Sequence, residues 1–159
     1  MKLIYCPQCG TKLVVRKEFV YENPVPVVAG VTFDSRGRIL LIRRGIEPAK
    51  GLWALPSGFM EMDESPAVSI VREMKEETGL ECDVENLIGV YHQKGWRYKS
   101  IIVLGYHLKT VGGKIVAGDD AVDVRYFAYD DLPEIPFTSH RHIIEDICYR
   151  KNERRDKKN

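Results

Sequence analysis

The sequence predicts an α/β fold in which a mixed β-sheet lies between helical layers. Three observations predict it: β-rich runs that recur in neighbouring pairs, one amphipathic helix in the middle of the chain, and a second helix near its end. The 159 residues suffice for one domain of ordinary size, and 44% hydrophobic with 30% charged residues is the profile of a soluble globular protein. A net charge of +1 supplies no basic field for nucleic acid, and no apolar run is long enough to cross a bilayer.

Residues 1–22 differ in character from the rest of the chain. They contain Cys6-Pro7-Gln8-Cys9-Gly10, a knuckle-like turn, and then the apolar run Leu13-Val14-Val15. Asn23-Pro24-Val25-Pro26 marks a boundary, because each proline holds the residue before it extended. Residues 27–33 and 38–42 are predicted strands, and Asp34-Ser35-Arg36-Gly37 between them predicts a hairpin. Residues 53–55 add a short strand before the Pro56-Ser57-Gly58 turn. Ser65 as N-cap with Pro66 at the first helical position starts the central helix, and Gly79 ends it. Further strands are expected over 86–92, 100–108 and 122–129, with a turn at 109–114 around Gly112-Gly113. Thr138 or Ser139 caps a second helix running to about Arg150. The main domain is thus 23–149, and the charged tail 150–159 is expected to be disordered. Four cysteines, two of them in one C-x-x-C, are no disulfide framework, and the Met1-Lys2-Leu3-Ile4 start lacks a secretory h-region. A reduced, cytoplasmic protein is the expectation.

The central helix carries the chemistry. At 100° per residue Ala67, Val71 and Met74 share a face expected to pack on the sheet, with Glu73, Glu76 and Glu77 at i, i+3 and i+4 on the opposing side. Like charges at this spacing cost roughly 0.2–0.5 kcal/mol per pair in an isolated helix. Glu76 and Glu77 also occupy the last turn, where the helix dipole disfavours anions. A hard cation reverses that balance, since carboxylate oxygens are the ligands Mg²⁺ prefers. The competing explanation is a solvated acidic face.

Residues 58–80 read GFMEMDESPAVSIVREMKEETGL. This resembles the Nudix box, G-x5-E-x7-R-E-U-x-E-E-x-G-U with U aliphatic. It matches at Gly58, Glu64, Arg72, Glu73, Met74, Glu76, Glu77, Gly79 and Leu80. Gly51-Leu52-Trp53-Ala54-Leu55-Pro56 and Asp131-Leu132-Pro133 look like common segments of the same family, so the resemblance covers roughly 23–149. It implies the Nudix α/β/α sandwich and metal-dependent hydrolysis of a pyrophosphate bond in a nucleoside diphosphate linked to another moiety. It implies Glu73, Glu76 and Glu77 as ligands of Mg²⁺ or Mn²⁺, with the Ser57 carbonyl beside Gly58 as a further oxygen. Arg72 and Glu64 would orient these carboxylates. Ser57 stands where a second glycine is often found. The base outside the box varies in the family. Of Asp119, Asp120 and Asp123, which follow Gly118, Asp120 is favoured, against the alternative of a polar turn. The expected catalytic set is Glu76, Glu77, Arg72 and Asp120.

Cys6 and Cys9 resemble half of the zinc ribbon that precedes some Nudix domains. No second pair follows, and tetrahedral zinc wants four ligands, so a degenerate ribbon without zinc is favoured. Cys82 and Cys148 read as buried small hydrophobes. Trp96 and Tyr98, with Arg97 between them, are candidates for stacking on a base and meeting phosphates, against plain strand packing. His140 and His142 are expected to be exposed or capping. The array of NADH-cleaving relatives after the box, S-Q-P-W-P-F-P-x-S, has no counterpart here. The Asn-Pro-x-Pro segment leans towards ADP-ribose or another ADP-linked compound. Alternatives are a nucleoside triphosphate, a dinucleoside polyphosphate (to which Tyr98 is suited), or a nucleotide-binding regulator that cleaves nothing. The expected partner is a small nucleotide. A membrane is excluded, nucleic acid is not favoured, and a homodimer is left open.

Overall fold

A computed structural model of the chain describes residues 4–5, 12–13, 23–95, 99–118 and 120–156, with backbone alone for 4–5, 12–13 and 151–156. Strands β1 (Ile4–Tyr5) and β2 (Lys12–Leu13) pair antiparallel. Then follow β3 (Val25–Val31), β4 (Ile39–Arg44), β5 (Trp53–Ala54), β6 (Ser57–Phe59) and helix α1 (Pro66–Thr78). The chain continues through β7 (Leu80–Gln93), β8 (Ile101–Gly113), β9 (Ala121–Phe127) and helix α2 (Thr138–Asp156).

The strands form a mixed sheet in the order β6-β3-β8-β7, where β3 and β8 run parallel, and an antiparallel sheet in the order β5-β4-β9. β4 reads as a continuous apolar run because both its faces are buried. Leu40 and Ile42 enter one core with Val28, Ile70 and Met74, on the α1 side. Ile39 and Leu41 enter another with Ala29, Val31, Ile143, Ile144 and Ile147, on the α2 side. The result is a sandwich of helix, strands and helix, as the sequence predicts.

Four local features differ from expectation. The turn at 34–37 forms, with the Gly37 N–H donating to the Asp34 carbonyl at 3.0 Å, but Phe33 and Ile39 make only an isolated bridge. β3 already has β6 on one edge and β8 on the other, so β4 must join a different sheet. Of the stretch 109–114 expected as a turn, 109–113 is strand, because β7 begins immediately after the helix and pairs Leu80 with Gly113. The backbone of α2 continues past Arg150 to Asp156, where disorder was expected. Its Lys, Arg and Glu are good helix formers, and cations suit a helix C-terminus. Finally, α1 buries Ser69, Ile70, Met74, Glu77 and Thr78, whereas Ala67 and Val71 are only half-buried. Its inward stripe therefore carries a carboxylate.

Both ends of α1 behave as their sequence demands. The Ser65 side chain accepts from the Val68 N–H, Pro66 opens the helix, and Gly79 closes it at φ 72°. A Cβ on Gly79 would collide with the Lys114 carbonyl. The segment after β8 then docks on the helix end. The Val116 N–H donates to the Thr78 carbonyl at 2.9 Å and the Gly118 N–H to the Glu77 carbonyl at 3.3 Å, satisfying acceptors the helix leaves open. Among the described residues no helix is long and apolar enough to cross a membrane.

Candidate active site

A cleft of about 760 Å³ opens where α1, β6, the end of β4 and the start of α2 meet. The α1 side contributes Arg72, Glu73, Glu76 and Glu77; Ser57 and Gly58 of β6 adjoin them. Arg44, at the end of β4, and Asp120, just before β9, also line it, as do Phe137, Ser139 and His140 from the α2 side.

Arg72 organises the acidic side. Its Nε and Nη2 grip the two oxygens of Glu64 at 3.2 and 2.8 Å, while Nη1 donates to Glu73 at 2.7 Å and to Glu76 at 2.9 Å. Glu64 also accepts the Glu61 N–H at 2.7 Å. The hydrogen bonds from Arg72 and Glu61 hold its carboxyl at about 2. Glu73 is pushed upward by burial, against the pull of Arg72. Glu77 is 4% exposed and accepts the Ser57 N–H at 2.8 Å. Burial drives its pKa to about 8, the Ser57 hydrogen bond working against the shift and the charge of Glu73 adding to it. Arg44 donates its Nε to the Pro48 carbonyl at 2.7 Å and lies over the Phe137 ring, 5.4 Å from its centroid.

The donor set suits a hard divalent cation. Three carboxylates of one helix face one cleft, and the most buried is raised by desolvation and by a second carboxylate, a cost that a nearby double positive charge removes. Among the described residues no three acidic, His or Cys side chains already converge on one point, since Arg72 draws in Glu73 and Glu76 while Ser57 holds Glu77.

The family model of the NUDIX domain matches residues 23–147. The chain belongs to the Nudix family. An ADP-ribose pyrophosphatase of Methanocaldococcus jannaschii is 38% identical to it over 149 residues, 93% of this chain and 87% of the relative. An NAD-capped RNA hydrolase NudC of Pseudomonas aeruginosa is 29% identical over 154 residues, and there the match spans only 51% of the relative's length. The crystal structure of a NUDIX hydrolase from Nitrosomonas europaea superposes with a TM-score of 0.68 at 26% identity, covering 89% of this chain and 76% of that one. The protein is a Nudix pyrophosphohydrolase, and members of that family generally require divalent metal ions.

Of the residues singled out in the sequence, this Nudix domain brings Ser57, Gly58, Arg72, Glu73, Glu76, Glu77 and Asp120 to the cleft, with Glu64 bound to Arg72. Asp123 instead pairs with Arg125 at 2.6 Å. Cys6, Cys9, Trp96, Arg97, Tyr98 and Asp119 lie outside the described residues. Cys82 is buried and Cys148 half-buried. His142 is exposed as expected, but His140 is not. It is 4% exposed, its ring packs edge-on against Phe137 at 5.0 Å, and its Nδ1 accepts the Leu55 N–H at 3.2 Å. Arg44, Phe137 and His140 were missed as cleft residues. The only sequence signal for Arg44 is its place at the end of an apolar strand.

Gly58 has a specific task in the Nudix site. A Cβ there would overlap the Glu73 carboxylate. That carboxylate is the far end of a flexible side chain, so Gly58→Ala should displace it at little cost in stability. Turnover is expected to fall on the order of tenfold, within the hundredfold that a misplacement of about 1 Å can cost. A melting temperature lowered as much as the rate would instead mark a folding defect.

His140 makes stability depend on acid. Burial, and then the charge of Arg44, lower its pKa from 6.5 to about 3. The unfolded chain therefore takes up a proton near pH 6.5 that the folded protein refuses. Its contribution is full above 6.5 and is lost as pH falls towards 3. His140→Asn, which keeps an acceptor for Leu55, should remove about 2 kcal/mol of the stability lost between pH 7 and pH 5. Denaturant melts at the two pH values test this; equal losses in both proteins would refute it.

Proposed function

We propose that this Nudix domain hydrolyses ADP-ribose or a related ADP-linked nucleoside diphosphate, with Glu73, Glu76 and Glu77 holding Mg²⁺ or Mn²⁺. The observation that carries the site is the turning of three carboxylates of one helix onto a single cleft that also contains Arg44 and Asp120. The substrate class is supported by the relative named ADP-ribose pyrophosphatase, which this chain matches over most of both lengths.

Bound at these carboxylates and the Ser57 carbonyl, the cation would neutralise pyrophosphate oxygens and make water more acidic. Arg72 would surrender Glu73 and Glu76 while keeping its two-pronged hold on Glu64, so the helix side chains stay aimed as their partners change. Asp120 would take the proton of the attacking water on a carboxylate oxygen. The water oxygen bonds to one phosphorus, the bridging P–O bond breaks, and ADP-ribose yields AMP and ribose 5-phosphate. A cytosolic setting suits the buried thiol of Cys82.

A panel of ADP-ribose, other ADP-sugars, dinucleotides, nucleoside triphosphates and NAD-capped RNA, each with Mg²⁺ and with Mn²⁺, tests this. ADP-ribose or another ADP-linked compound should show the highest kcat/KM and release AMP. Binding without any cleavage would favour the regulator instead. Preference for capped RNA would overturn both the substrate and the expectation that nucleic acid is no partner, a point on which the relatives named NAD-capped RNA hydrolase already bear.

A further inference from the structure

The α2 side of the cleft presents two cationic or neutral donors, Arg44 and His140, with no acceptor atom left open on either. His140 Nδ1 accepts the Leu55 N–H at 3.2 Å, so the neutral ring carries its proton on Nε2. Among the described residues Nε2 meets no polar partner. Among the described residues no buried side-chain nitrogen or oxygen goes unpaired, so Nε2 reaches the cleft that His140 lines although the residue is 4% exposed. Gln93 Oε1 is consumed by the Ser139 N–H and hydroxyl, both at 3.1 Å. Arg44 spends Nε on Pro48 and keeps its terminal amino groups. The 19-residue helix α2 begins here, with the positive end of its dipole.

We propose that His140 contacts the substrate directly, its Nε2–H donating to a phosphoryl oxygen of the bound nucleotide beside Arg44. A phosphoryl group offers only acceptors and carries negative charge, matching a donor surface at a helix N-terminus next to a guanidinium. An adenine edge presents an N6 amino donor as well as acceptors, whereas Arg44 and the His140 Nε2–H offer donors alone. Burial and Arg44 keep the ring neutral throughout the working pH range, so its donor position does not change with conditions. A neutral donor held this way stabilises charge without a proton transfer, as a helix-N-terminal histidine does in other enzymes. The assignment rests on the pyrophosphohydrolase activity but not on ADP-ribose being the nucleotide cleaved.

The test uses the ¹⁵N-labelled Mg²⁺-loaded protein, following the His140 Nε2–H resonance by NMR on addition of AMP, inorganic pyrophosphate or adenosine. AMP and pyrophosphate should both shift it, and adenosine should not. A shift with adenosine equal to that with AMP would move the contact to the nucleoside, and no shift with any of the three would end the proposal. Kinetics supply a second arm: His140→Phe should raise KM about tenfold or more, the effect of a lost hydrogen bond to a charged group, with kcat within about threefold. A fall in kcat alone would contradict a binding contact. Pyrophosphate moves the resonance whichever nucleotide proves to be the substrate, so failure here is distinguishable from failure of the ADP-ribose assignment.

Discussion

Glu77→Gln is expected to cut kcat by about 10³-fold or more, the equivalent of several kcal/mol of transition-state charge stabilisation, while making the metal-free protein more stable. Both effects have one origin. Glu77 is a carboxylate on the inward stripe of α1, 4% exposed, with the Ser57 N–H as its hydrogen-bond donor. Its folded pKa of about 8 lies above the ordinary 4.5, so between those values the folded protein holds a proton that the unfolded chain has lost. Metal-free stability from this group is therefore full below pH 4.5, falls as pH rises across that window and levels off beyond pH 8. The amide has no such charge to bury and can still accept from Ser57. Thermal melts in a chelator should thus show a steeper decline between pH 4.5 and 8 for the wild type than for the variant. Added Mg²⁺ should raise the wild-type melting temperature at pH 8 and leave that of the variant nearly unmoved. Equal slopes across pH 4.5–8 would mean that Glu77 is not a desolvated charge.

Arg72→Gln should lower kcat/KM by about 10²-fold, the upper end of what is lost when a partner that orients metal ligands is removed. Arg72 is the common cation of Glu64, Glu73 and Glu76, meeting them at 2.8, 2.7 and 2.9 Å. Without it their negative charges face one another, and Glu64 keeps only the neutral donors of the Glu61 N–H and the Ser69 hydroxyl among the partners described. The metal-free variant should therefore melt lower than wild type at pH 7, by a margin that narrows at pH 5 and on addition of Mg²⁺. Lysine cannot reproduce the fork that holds both oxygens of Glu64, so Arg72→Lys should recover the stability better than the rate. Wild-type turnover in either variant would remove Arg72 from the machinery.

Much of this was legible in the residues. The central helix announced both of its ends, with Ser65 and Pro66 at one and Gly79 at the other, because capping is local chemistry. The acidic spacing pointed to a cation because the arrangement is unfavourable without one. Its inward face was misjudged, since hydrophobic periodicity counts Glu77 as an outward residue and cannot register a carboxylate buried for its chemistry. The split into two sheets depends on β6 and β8 occupying both edges of β3, a fact of strand pairing that neither strand's own sequence contains. His140 was hidden for a similar reason. A Ser-His pair opening a helix looks solvent-facing until Leu55, 85 residues earlier, supplies the N–H that fixes it.

The docking of 116–118 on the end of α1 also acts as a ruler. The amides of Val116 and Gly118 must meet the carbonyls of Thr78 and Glu77, and a Cβ on Gly118 would run into the Glu76 carbonyl. Two residues later the same strand of chain delivers Asp120 to the cleft. Inserting or deleting a single residue between Gly113 and Asp120 would therefore shift the candidate base out of step with the carboxylates. This connection should resist length changes during engineering or evolutionary drift as strictly as the helix itself resists a proline.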